Sequence, residues 1–392
     1  MKIVVAGAGY AGTLAANRLA KKVPEAEITV VNPRPDFVER VRLHQHVVGT
    51  GKVATPLTEM LRGGVRARLA AVGKIGDGGV ALETGESVDF DYLVLAVGST
   101  VSPLPGTVPV GTWEGAESAR ATLASLPPGA AVTVIGSGAT GIETAAEVAD
   151  GRPDLRVRLV GHRLAATFSD GARRRVRAGL DRLKVSVLEG AVVTEVLCGQ
   201  GENGADKVRL RAHPDGAAHG VTNDDPTDGL ADDSTDHPNG ELSSDLTLWA
   251  VLGTVPDLAA RSGLEVDDRG RAVVDPYLRS VSDPRIFAVG DCAAVPGSRA
   301  ACQTAGPQGA HAADTLARTI RGRKLKPYSM GYFGTGLTLG RQDGVIQLSR
   351  RDDSARRQYL AGRPAVVVKE GATSGARYGS RTATIAWLSG PK

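Results

Sequence analysis

Gly7-Ala8-Gly9-Tyr10-Ala11-Gly12 follows the apolar run Ile3-Val4-Val5-Ala6, and Gly136-Ser137-Gly138-Ala139-Thr140-Gly141 follows Ala131-Val132-Thr133-Val134-Ile135. Each G-x-G-x-x-G opens an alanine-rich helix, to about Lys22 and to about Ala149, and each helix leads into another apolar strand, Glu27 to Val31 and Arg156 to Val160. A helix is the economical crossover between parallel strands, so each copy reads as a βαβ unit with its own parallel sheet. A lone glycine motif is a weak signal, because glycine-rich turns are common. Two copies about 130 residues apart, both between a strand and a helix, predict an α/β protein with two Rossmann-like dinucleotide-binding domains.

Working outward, Asp91 to Val97 is a third apolar strand ending at Gly98-Ser99, and Pro103-Leu104-Pro105-Gly106 reads as a linker. Leu246 to Val251 closes the second sheet, and Asp283 to Val289 is a late strand ending at Gly290-Asp291 before a helix over about Gly306 to Ile320. The expected domains are therefore 1–105 with 280–325, a discontinuous first domain; 106–279, the second; and 326–392, a small C-terminal domain rich in β structure. In that last part Thr335 to Leu339, Val345 to Leu348, Pro364 to Lys369 and Thr382 to Trp387 look like short strands. Asp215 to Glu241 carries eight acidic residues and no Lys or Arg, and is expected to be a disordered insertion in a hairpin near 213–241. An acidic arm for a basic partner, or a metal site on His213, His219 and His237, is the alternative for that stretch.

The composition sets bounds on function. Of 392 residues 42% are hydrophobic and 23% charged, the balance of a globular chain, and the formal charge of +4 is too small for a nucleic-acid surface. Cys198, Cys292 and Cys302 form neither a C-x-x-C pair nor a zinc spacing, so no disulfide framework, metal site or dithiol redox centre is expected. The strand begins at Lys2 with no room for a signal peptide, and no apolar run reaches the roughly 18 residues of a membrane span. A cytoplasmic protein with at most peripheral membrane contact is expected, and a homodimer is compatible with it.

In the first motif, Gly7, Gly9, Tyr10, Ala11 and Gly12 are expected to line a pyrophosphate, because missing side chains let backbone N–H groups at a helix start approach the anion. The strand after it ends in Asn32, which can hydrogen-bond a ribose with less charge than the usual carboxylate. Gly136, Gly138 and Gly141 are expected to hold a second dinucleotide. Its second strand ends in Val160-Gly161-His162-Arg163 with no acid, which tilts the reading toward a 2′-phosphate on Arg163, and so toward NADPH over NADH. Arg173, Arg174 and Arg175 serve either that phosphate or a solvated helix face.

These segments in this order, with Asp91 to Ser99, Trp249 to Gly253 and Ile286 to Asp291, resemble the two-dinucleotide-domain flavoproteins over about residues 1–325. Within them the sequence is most similar to type II NADH dehydrogenases and to quinone reductases related to apoptosis-inducing factor. Phe37 to Gln45, with Arg42 and Gln45, resembles their flavin-edge segment, and Leu339 to Val345 resembles the start of their last domain. Gln303-Thr304-Ala305-Gly306-Pro307-Gln308 resembles their quinone-side A-Q-x-A-x-Q signature, departing from it with Cys302 at the first Ala and Pro307 at the second Gln.

The resemblance implies FAD at the first site, contacted also by Ala96, Gly98, Gly290 and Asp291, and a nicotinamide nucleotide at the second. It implies that Glu143 orients the nicotinamide and that Gln303 and Gln308 border the acceptor. The implied activity is an FAD-dependent NAD(P)H oxidoreductase with a quinone-like or aromatic small-molecule acceptor. A flavin monooxygenase or oxidase, a ferredoxin-type reductase and a redox-sensing flavoprotein are the alternatives. His44 and His46 are open to flavin attachment, proton relay or a merely structural place, and Cys302 to facing the flavin or packing as a small hydrophobe. The tail after Arg350 reads as charged and strand-like, without the amphipathic membrane anchor of the respiratory enzymes.

Overall fold

In the computed structural model, which describes residues 1–213 and 239–391, two five-stranded parallel sheets stand side by side. The first has the order Ile286–Ala288, Tyr92–Leu95, Lys2–Ala6, Glu27–Asn32, Val65–Leu69. The second runs Val108–Pro109, Leu246–Trp249, Ala131–Ile135, Arg156–Gly161, Ser186–Glu189. Both place the strand before a glycine motif at the centre, with register partners such as Val4 to Thr29 and Val134 to Leu159. Ile3, Val5, Val132 and Val134 are fully buried, as strands covered on both faces must be, and that is why these runs are continuously apolar.

A hairpin arm, Ala191–Leu197, Asp206–Ala212 and Gly240–Ser244, forms an antiparallel sheet packed on the second sheet through Val160, Val193, Val208 and Ile135. The acidic stretch between its last two strands lies, apart from residues 239–241, outside the described residues.

The C-terminal part departs from the sequence reading. Gly334–Thr338 and Gly344–Ser349 match two of the expected strands and pair antiparallel, joined by a third strand, Ala355–Ala361, that the sequence reading does not single out, but Pro364 to Lys369 is not a strand: it is the start of a 20-residue helix, Arg363–Thr382. Pro364 sits in the first turn, where its missing N–H costs nothing. The three valines after it have strand propensity, but Ala365 is buried where the helix lies over the sheet, and burial decides. Thr382 to Trp387 is not a strand either; it ends the helix at Ala383, which is left-handed at φ 59°, and continues as coil. The tail after Arg350 is thus partly helical. Asn17, buried in the first glycine helix, donates to Ser380 O at 2.8 Å and pins the end of this helix to the first sheet's layer. Among the described residues no helix is long and apolar enough to cross a membrane.

Candidate functional site

The two glycine turns are built alike. Gly7 and Gly136 have φ of 102° and 120°, a backbone that L side chains rarely adopt. A Cβ at Gly12 or Gly141 would collide with the carbonyl oxygen of Gly7 or Gly136, so helix and turn touch only because both are glycines. At Gly9 and Gly138, by contrast, a Cβ would meet nothing within 4 Å and would enter open space at the carboxyl edge of the sheet. The helices that follow, Tyr10–Lys22 and Ala139–Gly151, have no side-chain cap and no acid in the first turn. Their neighbours Trp113–Ser125 and Asp170–Arg182 have both, with caps from Thr112 and Ser169 and first-turn acids Glu114 and Asp170. N–H groups left without a protein partner at an open, glycine-lined edge are an anion cradle.

A third uncapped helix, Cys302–Ile320, starts after the turn that carries Gly290 and Asp291. Asp291 accepts from Ser99 Oγ at 2.7 Å, and Arg40 donates to Ser99 O and Gly111 O at 2.8 and 2.9 Å. Gly98, in the left-handed region at φ 71°, lets the chain turn there, and Ala96 backs onto Gly7. These residues converge on the first glycine turn. Burial lowers the Arg40 guanidinium's affinity for its proton, with Asp291 opposing. Sequence reasoning missed Arg40, which no spacing rule ties to residue 291.

Several predicted residues make contacts that their expected roles did not include. Asn32 Oδ1 accepts from Ala8 N at 3.0 Å and its Nδ2 donates to Arg34 O at 2.7 Å, so its amide ties the first glycine turn to the strand end. Gln308 is buried, accepting from Gly290 N at 2.7 Å and donating to Ser298 Oγ at 3.2 Å. That amide holds the Gly290 turn. Gln303 Nε2, one turn nearer the helix start, is buried with no hydrogen-bond partner. Arg42 pairs with Glu370 of the C-terminal helix at 2.6 Å and bonds Gln45 Oε1 at 3.1 Å. Arg163 is exposed at the rim of the second cradle, where its carbonyl accepts from Ser137 Oγ at 3.0 Å. Arg173 and Arg175 are engaged by Glu189 and by Asp343, which leaves Arg174 as the exposed member of the run.

Between the cradles lies a buried polar cluster. Glu143 Oε1 accepts from Thr338 N and Oγ1 at 2.8 and 2.9 Å and is in contact with the Lys369 ammonium. His44 Nε2 lies 3.9 Å away with no hydrogen-bond partner. Burial drives the Lys369 pKa down to about 7 and pushes that of His44 well below its usual value. The imidazole is therefore neutral, and the amine changes charge near neutrality. Lys369 was invisible in the sequence because it lies in the stretch read as a strand. Its signal was a lysine nearly two turns into a helix starting Arg-Pro, a pattern that also marks ordinary surface lysines.

Residues 1–314 match the pyridine nucleotide-disulphide oxidoreductase family. The NADH dehydrogenase-like protein Rv1812c of Mycobacterium tuberculosis is 29% identical over 94% of this chain and 92% of its own length. Ferroptosis suppressor protein 1 of Homo sapiens is 25% identical over 89% of both chains. Among solved structures, the sulfide:quinone oxidoreductase of Aquifex aeolicus superposes with a TM-score of 0.76 at 17% identity, covering 98% of this chain and 92% of that one. NDH2 of Plasmodium falciparum in complex with NADH superposes with a TM-score of 0.75 at 16% identity, covering 97% and 96%. With its paired parallel sheets and twin glycine turns, the chain belongs to the pyridine nucleotide-disulphide oxidoreductase family and is an oxidoreductase.

Proposed function

We propose that the protein is an FAD-dependent NAD(P)H oxidoreductase that passes electrons to a quinone-like or aromatic acceptor. The observation that supports this best is the pair of open, uncapped glycine cradles with the buried Glu143–Lys369 contact between them. Two dinucleotide sites with one ionisable cluster between suit transfer from one cofactor to another. When bound, FAD supplies the electron chemistry; the protein supplies placement and polarity. Gly7, Gly9 and the N–H groups of Tyr10 to Gly12 would hold its pyrophosphate, and Gly290 and Asp291, braced by Ser99 and Arg40, its ribityl side. Gly136, Gly138 and Gly141 would hold the nicotinamide nucleotide, and Glu143 its reacting end. The acceptor would bind beside the start of the Cys302–Ile320 helix, where the free Gln303 amide can donate to a carbonyl oxygen as its charge grows.

Anaerobic mixing of the purified protein with NADPH or NADH, followed by short-chain quinones and by oxygen, tests the reading. Bleaching of a yellow chromophore by the nucleotide and its return with quinone is the expected result; bleaching reversed only by oxygen, with hydroxylation of an added substrate, favours the monooxygenase. Gln303→Ala is expected to slow the return of colour with quinone by roughly tenfold, the loss of about one charge-assisted hydrogen bond, while leaving the bleaching step unchanged. Slower bleaching instead would place Gln303 on the nucleotide's side. Arg163→Ala is expected to weaken NADPH by roughly ten- to a hundredfold and NADH little, measured as the two dissociation constants. Equal losses would remove Arg163 from 2′-phosphate recognition.

A further inference from the structure

One turn beyond Glu143 on the second glycine helix stands Glu147, only 1% exposed. Its Oε1 is held by the hydroxyl of Thr50, an exposed residue, and faces Arg341 Nη1 at 3.7 Å. Its Oε2 is buried with no hydrogen-bond partner, as is the Nε2 of His44 in the neighbouring cluster. A buried polar atom without a partner is uncommon and calls for an explanation. A carboxyl that merely tied the Thr50 loop to the helix would need one oxygen, and an asparagine or glutamine would serve. Burial holds the Glu147 carboxyl above the usual carboxylate range, so the residue can carry a proton where a surface glutamate has lost it. Glu143 and Glu147 lie at i and i+4 of one helix and so share a helix face. Asp150, exposed at the end of the same helix, accepts from Arg341 N at 2.9 Å and keeps this edge of the cluster anchored at the surface.

We propose that Glu147, loaded through the Thr50 hydroxyl, relays protons from solvent to the buried Glu143–His44–Lys369 cluster. The inference rests on the function proposed above and adds a route to it. Reduction of a quinone by NAD(P)H takes a hydride and one further proton: NAD(P)H + H⁺ + quinone gives NAD(P)⁺ and hydroquinone. The nucleotide supplies the hydride's two electrons and one hydrogen. The remaining proton comes from water, and a sealed site needs a path for it. In each turnover the cluster releases one proton toward the reaction that forms hydroquinone, Glu147 replaces it, and solvent recharges Glu147 at Thr50. Glu147 is a positioning and relay residue, touching neither nucleotide nor acceptor.

Glu147→Gln keeps the size and the hydrogen bond to Thr50 but holds no exchangeable acid. In stopped-flow measurements on the FAD-loaded protein, bleaching by NAD(P)H is expected to stay within about twofold of wild type, since that step draws no proton from solvent. Reoxidation by a short-chain quinone is expected to fall on the order of 10²-fold, with a larger solvent deuterium isotope effect. Glu147→Asp should recover most of the loss. Independently of turnover, infrared difference spectra taken across a pH titration should show a protonated-carboxyl band that persists to higher pH than that of a surface carboxyl and disappears in Glu147→Gln. Thr50→Val gives a second test if Glu147→Gln fails to fold, and should slow reoxidation in the same sense. Unchanged reoxidation and isotope effect in whichever variant folds, or the absence of that band in the wild type, overturns the relay. A wild-type protein that NAD(P)H cannot bleach, or whose bleached form ignores quinones, overturns the proposed function instead, whatever the infrared band shows.

Discussion

Gly9→Glu protein is expected to purify colourless, and to remain so after incubation with excess FAD. The glycine faces open space where an anion would sit, so the new side chain meets no protein atom and the fold survives. What it does is fill the cradle and set a carboxylate against a pyrophosphate at the end of a helix chosen for anions. Thermal unfolding should shift by only a few degrees relative to the wild-type apoprotein. Gly138→Glu is the matched control, where the same geometry predicts a yellow protein that NAD(P)H fails to bleach. A yellow Gly9→Glu protein paired with a colourless Gly138→Glu protein would exchange the two sites. Gly12→Ala is a different matter, because its Cβ strikes the Gly7 carbonyl and the loss would be one of folding.

The second large effect is expected at Lys369. Lys369→Met keeps the length of the side chain and removes a buried ammonium beside Glu143. Glu143 retains its bonds from Thr338, so the cluster stays folded. Acceptor reduction should fall on the order of 10²-fold while nucleotide affinity is kept, the mark of a group that acts on developing charge. A pH signature accompanies it. The folded pKa of about 7 lies below the ordinary lysine value of 10.5, so between those values the unfolded chain binds the extra proton and stability rises with pH. Wild-type protein should gain stability to urea from pH 7 to 10, and Lys369→Met should gain less. Wild-type acceptor reduction in the variant would remove Lys369 from the chemistry, and an unchanged pH slope would show that its proton is held as in water.

What could be read in the sequence was what the backbone decides locally. A turn that needs left-handed φ, a helix packed against a carbonyl and a strand buried on both faces each leave a fixed mark: Gly7, Gly12 and Val4, and again Gly136, Gly141 and Val134. The third strand of the C-terminal sheet, Ala355–Ala361, was not singled out, while the other two, near Thr335 and Val345, were legible as short apolar runs between polar turns. The helix Arg363–Thr382 was not, because Val366-Val367-Val368 favours a strand in isolation and only the sheet beneath makes it a helix. That misreading hid the site's centre. Glu143, Lys369, His44 and Thr338 come from four distant segments, and no period or spacing connects them. Gln308 shows the opposite case: its place in a motif suggested an acceptor contact, while its amide is taken up by the Gly290 turn.

The first sheet ends in a strand, Ile286–Ala288, that pairs with Tyr92–Leu95 across about 190 residues of intervening chain. During synthesis at roughly 5–20 residues per second, the edge of Tyr92–Leu95 therefore stays open for about 10–40 s after it leaves the ribosome. Throughout that interval a flat apolar edge, Tyr-Leu-Val-Leu, is available to any other nascent strand. Expression at lower temperature, or together with a chaperone that shields such edges, should raise the soluble yield more for this chain than for the 106–279 segment alone, whose sheet closes within its own span.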